Sequence, residues 1–428
     1  MLKKMLVLMI VAGAWTSGGV TLVSLSTPAL ADDDDRRGPR LRFGPDLRLP
    51  RILGLPGGMT RHAQRRVRSM PRREIVAIGL SPADLDRLVA QGFTLLRNQQ
   101  IGLLGTTLAR LRVPRRVGTR QALEMAARTA PGASFANNDL YRRLLQAAYR
   151  PSGGSCGHRC EAFELTAWTQ SIGRCGTDVR IGVVDTAVDL AHPSLRGARV
   201  TLRTVRSPDR SASDADHGTA IVSLLVGKTD SEVAGIIPGA HVLVADAFHG
   251  KGQGSSADVY DLIVGIDWLV SEGIGVLNLS LSGPDNDQLQ RAIARVQERG
   301  TLVVAASGRP DRNRLSGYPA RYAGVIAVSA VDNRLRPSRL AIRGQHITFA
   351  APGAGIAVAQ TPSGVRRVEG TSFAAPFVTA AYAVGLGRKQ NGAELTDLLA
   401  RSAKDLGSPG RDPIYGWGLL QFSGLPSC

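Results

Sequence analysis

The chain has 428 residues, 43% of them hydrophobic and 21% charged, with a formal net charge of +18. That length and apolar content support more than one folded domain and exclude a wholly disordered chain. The charge sits in one stretch: residues 36–150 hold 23 Arg, no Lys and 6 acidic residues, and the few aromatic residues there do not interleave with the basic ones in a stacking pattern, so specific nucleic-acid binding is not expected.

In chain order, Lys3 and Lys4 precede an apolar run from Met5 to about Ala14, and Ala29-Leu30-Ala31 follows. Residues 1–31 read as an export signal cut before Asp32, which leaves no transmembrane anchor and places the product outside the cytoplasm, secreted or periplasmic. Residues 32–71 are rich in Arg, Pro and Gly without an apolar period and read as flexible. The basic stretch as a whole reads as a solvated, Arg-rich presequence. Residues 72–141 then alternate: a strand at 75–78, and a helix with Ser81 as N-cap, Pro82 in its first turn and Leu85, Leu88 and Val89 inward. Strands follow at 93–96 and 103–113, a helix at 119–129 and a strand at 133–136. The order β-α-β-β-α-β predicts a ferredoxin-like unit. A linker is expected over 142–160. From 161 to 425, strands near 179–185, 241–246, 275–280, 300–305 and 324–330 alternate with helices near 217–227, 256–271, 286–299 and 372–388. This α/β pattern predicts a mostly parallel sheet covered on both faces. Cys156, Cys160, Cys175 and Cys428 suit disulfides in an exported chain, with three pairings open.

Three segments carry chemistry. Ile181-Gly182-Val183-Val184-Asp185 is an apolar run ending in an acid, as at the carboxyl end of a buried strand. Asp216-His217-Gly218-Thr219 opens an apolar helix, and Gly218 permits close backbone approach. Gly370-Thr371-Ser372-Phe373-Ala374-Ala375-Pro376 lifts a serine at the start of an alanine-rich helix. A serine hydroxyl needs a base to become a nucleophile. His217 is the expected base and Asp185 its orienting acid. The order Asp, His, Ser distinguishes this set from two other arrangements of the same groups.

These segments resemble the subtilisin-like serine protease family, and weaker matches extend the resemblance over most of residues 160–425. The resemblance implies a three-layer subtilisin-like fold. It implies a secreted endopeptidase acting on polypeptide substrates through an acyl-enzyme formed on Ser372. It further implies that residues 72–141 are a propeptide acting as folding chaperone and transient inhibitor. Substrate is expected beside Ser280, Leu281 and Ser282 on one wall and Ala305, Ala306 and Ser307 on the other, adding a strand to the cleft edges. Ser282 and Ser307 replace smaller residues common in the family, which implies a narrower or more polar primary pocket.

The chain also departs from the pattern. Arg309 stands where the family has the asparagine that donates to the oxyanion, and Asn313 is the neighbouring alternative donor. The rival reading is a non-catalytic binding scaffold. No metal or cofactor is expected: Lys228 to Glu232 match the family's calcium loop poorly, and a structural calcium elsewhere stays open without an assigned site.

Overall fold

The computed structural model describes residues 73–143, 160–175, 178–310, 316–339 and 341–425, without the side chains of Cys160 and Gln253. The expected signal and flexible segment lie outside the described residues.

The first unit comprises β1 (Glu74–Ile78), α1 (Pro82–Ala90), β2 (Thr94–Ile101), β3 (Thr106–Arg112), α2 (Thr119–Thr129) and β4 (Ser134–Asn137). Its antiparallel sheet has the order β2-β3-β1-β4, the pairing a β-α-β-β-α-β chain gives in a ferredoxin-like unit. Ser81 caps α1, its Oγ accepting from Asp84 N at 3.1 Å. Every residue of β1 is buried because both faces of the sheet are covered. Ile75 and Ala77 pack with Leu88, Leu111 and Ala122 under the unit's own helices. Val76 and Ile78 pack with Leu262, Ile263 and Ile293 of the larger unit. Val89, expected inside, is 48% exposed: it follows Leu88 by about 100° around the helix, and Leu88 holds the inner face.

β5 (Leu140–Arg143) comes next, so Arg142 and Arg143 belong to a strand and not to the expected linker. The larger unit then runs α3 (Cys160–Leu165), β6 (Arg180–Asp185), β7 (Val200–Thr204), α4 (Asp216–Val226), β8 (His241–Asp246), β9 (Ser256–Asp258), α5 (Val259–Ser271), β10 (Val276–Leu279), β11 (Leu281–Ser282), α6 (Asp287–Glu298), β12 (Leu302–Ala306), β13 (Ile326–Val331), β14 (Ile347–Pro352), β15 (Ala354–Ala359), β16 (Val365–Glu369), α7 (Thr371–Gly387) and α8 (Gly392–Ser402). The five expected strands are present to within two residues. The helix expected from 256 starts at Val259, because Ser256–Asp258 is a strand.

Seven parallel strands form the central sheet, in the order β14-β13-β12-β10-β6-β8-β7. α4 and α7 contribute to the core on one face, and α5 and α6 to the core on the other. The result is a three-layer α/β fold. Its physics is ordinary. α6 is amphipathic, with Leu289, Ala292, Ile293 and Val296 buried at helical spacing. α7 is sandwiched: Thr371 through Gly385 are all buried, so it needs no polar face. β6 comes first in the sheet but lies in its interior, flanked by β8 and β10. The strand order reverses there, and such a switch point opens a crevice at the carboxyl ends of the strands.

Candidate active site

Asp185 is the last residue of β6, at that crevice, and is buried. His217 is the second residue of α4. Its Nδ1 lies 2.7 Å and 2.9 Å from the two oxygens of Asp185. Thr186 N donates to Asp185 Oδ1 at 2.7 Å, which fixes the carboxylate. Two small features bring helix and strand this close. Gly218 N donates to Thr186 Oγ1 at 2.9 Å, satisfying one free amide of the helix start. A Cβ on Gly218 would meet the carbonyl oxygens of Ala187 and Thr186 at 2.5 and 2.6 Å, so no larger residue fits.

Ser372 is the second residue of α7. Pro376, inside the helix, has no N–H, so the Ser372 carbonyl four residues earlier loses its helical donor. Ser280 Oγ takes that place, donating to Ser372 O at 2.9 Å. Asn278 Nδ2 donates to Ser280 Oγ at 3.0 Å, and Thr379 Oγ1 donates to Asn278 Oδ1 at 2.9 Å. This buried chain ties β10 to the first turn of α7. Sequence reasoning missed Asn278 and Thr379; the available signal was an amide inside the apolar run Val276-Leu277-Asn278-Leu279. Ser372 Oγ itself donates to Ser280 O at 2.9 Å. His217 Nε2 is buried without a hydrogen-bond partner. The imidazole nevertheless stands beside the helix start, with its ring centroid 5.6 Å from that of Phe373.

A polypeptide strand already lies in the crevice. β5 pairs antiparallel with β11 on one side, Arg143 opposite Leu281 and Arg142 opposite Ser282. On its other side it pairs with β9, Tyr141 opposite Ala257. The wall expected at Leu281 and Ser282 is therefore one edge of the groove, while Ser280 bonds the first turn of α7. The second backbone edge expected at Ala305, Ala306 and Ser307 is not there. Ala305 and Ala306 belong to β12, which is hydrogen-bonded to β10 and β13 on both edges, and Ser307 N is bonded to Val328 O. These residues have no free edge for another strand. The second edge is β9, three residues too short to show any periodicity. Ser282 Oγ accepts from Gly317 N at 3.1 Å, and Ser307 Oγ is buried without a partner. Tyr141 is fully buried, donating to Pro284 O at 2.5 Å. A Cβ on Gly283 would meet its ring at 2.6 Å.

The reading of the basic stretch as solvated fails at two arginines, because buried cations need partners distant in sequence. Arg110 is 1% exposed and bonds Asp209 at 2.6 and 2.7 Å. Arg210 bonds Glu74 and Asp258 at 2.5 and 2.6 Å. This ionic cluster joins the two units; burial raises the Glu74 carboxyl above its usual range. Nearby, burial and the adjacent Asp258 push Asp261 up to about 7. Arg143, the second, pairs with Asp214.

Among the described residues, His249, Asp258 and Asp261 form the group with metal-ligand composition. Asp258 Oδ2 accepts from Arg210, and its Oδ1 accepts from Asp261 N. A cation there would face Arg210 and Arg110, so the donor set does not fit a metal. Arg309 is exposed on the loop after β12, and Asn313 lies outside the described residues.

Residues 176–418 match the model of the subtilase family. The chain is 30% identical over 260 residues to the minor extracellular protease Epr of Bacillus subtilis, covering 60% of this chain and 39% of Epr. It is 30% identical over 263 residues to the thermostable alkaline protease of Halalkalibacterium halodurans, covering 60% and 70%. The chain thus spans about two fifths of the length of Epr. Among solved structures, fervidolysin from Fervidobacterium pennivorans, a keratinolytic enzyme related to subtilisin, aligns with a TM-score of 0.67 at 21% identity over 82% of this chain and 60% of its own. The prenylagaramide maturation protease PagA aligns with a TM-score of 0.51 at 28% identity, over 61% and 95%.

Proposed function

The chain belongs to the subtilase family, and from that premise we propose that it is an exported serine endopeptidase using Asp185, His217 and Ser372. One observation carries this reading. A polypeptide strand is held backbone to backbone in a groove whose wall, at Ser280, accepts the hydroxyl of Ser372. His217, held by Asp185, stands at the same helix start.

Rotation about the Ser372 Cα–Cβ bond exchanges the Ser280 carbonyl for the vacant Nε2 of His217. His217 then takes the hydroxyl proton as Oγ attacks the scissile carbonyl, and returns it to the leaving amine. The acyl-enzyme on Ser372 is hydrolysed by water through the same base. Asp185 keeps the Nδ1 proton in place and stabilises the imidazolium. The developing oxyanion meets the amide of Ser372 at the start of α7.

The second oxyanion donor of the family is replaced by Arg309. Its exposure favours a bystander role. Arg309→Ala is then expected to leave steady-state turnover unchanged. Arg309→Asn is expected to raise it by up to about 10²-fold, the scale of one such donor. A loss with alanine would instead make the guanidinium the donor.

We further propose that the β1–β4 unit is the propeptide and that β5 is its cleavage-site segment. Arg143 lies opposite Leu281, and Ser280 precedes Leu281. Because the Ser280 carbonyl holds the Ser372 hydroxyl, we place the cut one residue beyond Arg143 in sequence, at Leu144–Leu145. The secreted wild-type protein is expected to begin at Leu145, as read by N-terminal sequencing; a mature N-terminus at Asp32 would refute this. Export is supported by the signal-like N-terminus, by the extracellular relative Epr and by Cys175, which is disulfide-bonded. Among the described residues no helix is long and apolar enough to cross a membrane.

A further inference from the structure

We propose that Asp214 makes this groove selective for arginine at the residue immediately before the one whose carbonyl is attacked. The inference rests on reading β5 as a bound substrate segment. In that reading Leu144 carries the attacked carbonyl, and Arg143 is the residue before it.

The burial along β5 alternates: Tyr141 and Arg143 are buried, while Arg142 between them is exposed. This is the period of an extended strand read on one face. Arg143 Nη1 donates to Asp214 Oδ1 at 2.8 Å, and Nη2 donates to Asp214 Oδ2 at 3.0 Å. Nη2 also donates to Gly252 O at 2.6 Å. The guanidinium side chain is 3% exposed and the carboxylate 20%. Two parallel bonds match the planar fork of arginine; an ammonium cannot reproduce them.

The carboxylate is fixed independently of Arg143. Gly252 N donates to its Oδ2 at 2.6 Å, and Asp216 N donates to its Oδ1 at 3.3 Å. Asp214 sits two residues before α4, so the same helix start presents this carboxylate and the imidazole of His217. Two other charged groups are close. Asp216 is bonded to Thr361. Arg366 has buried Nε and Nη2 atoms without a partner. Among the described residues, the ion-pair partner of Asp214 is Arg143. Once β5 leaves, the groove presents a preset acidic seat at this one position.

The test uses the secreted enzyme and fluorogenic octapeptides copying residues 141–148, with Arg, Lys, Ala or Glu at the position of Arg143. Arginine is expected to exceed alanine by about 30- to 100-fold in kcat/KM, on the scale of breaking a buried hydrogen-bonded charge pair. Lysine should fall between them, and glutamate below alanine. Asp214→Asn keeps a side-chain acceptor and should bring arginine to within a few-fold of alanine. Asp214→Lys should favour glutamate. Equal rates for Arg and Ala in the wild type, with casein still cleaved, would overturn the selectivity and leave the protease reading intact. An arginine preference that survives in Asp214→Asn would overturn Asp214 as its source. Failure to cleave casein and all four peptides would overturn the protease reading itself. The wild-type series decides the selectivity even if a variant does not fold.

Discussion

Ser372→Ala is expected to lower peptide hydrolysis by about 10⁶-fold, the size found for removing the nucleophile in subtilisin, and to leave the secreted chain uncut at Leu144–Leu145. The fold should survive. The lost hydroxyl makes one hydrogen bond, to Ser280 O, while the reverse bond from Ser280 Oγ to the Ser372 carbonyl does not involve it. The stability cost is then about 1 kcal/mol. Turnover on casein, the size of the secreted species and a thermal melt check the three parts. Hydrolysis within tenfold of wild type would remove Ser372 from the mechanism. Full cleavage at 144 without hydrolysis of other peptides would mean that a different protease matures the chain.

The second large effect is at Asp185. Its two oxygens bracket His217 Nδ1, so the imidazole is held as the tautomer with Nε2 free to accept. An asparagine keeps the size but offers an amide donor on one side, which favours the opposite tautomer. Asp185→Asn is expected to cost about 10⁴-fold in turnover, with KM nearly unchanged because the lost interaction strengthens only as imidazolium forms. Steady-state kinetics decides it. A change of less than tenfold would mean that the carboxylate is structural.

Much of this arrangement is legible in the sequence itself. β6, α4 and α7 announce themselves because an apolar run or a helix start ends abruptly at a polar residue. α1 was readable from Ser81 and Pro82. The parts that escaped lack a local cause. β5 reads Leu-Tyr-Arg-Arg and is a strand only because two distant edges accept its backbone. β9 and β11 have three and two residues, too few for any period. β7 has no wholly buried residue, so its pattern shows no core face. The burial of Arg110 and Arg143 follows from Asp209, Asp214 and Gly252, each 71 to 109 positions away in sequence. A charge sheds its water only when such partners converge, and nothing near it in the chain says that they will.

The groove between β9 and β11 holds a single extended strand, paired along both margins. A helix or a hairpin cannot lie in a slot of that width, so a folded target must first surrender several residues to an open conformation. On the proposed protease reading, cleavage of intact proteins is expected to track how often each target spontaneously opens there. The rate would then report on the victim's local stability as much as on the scissor.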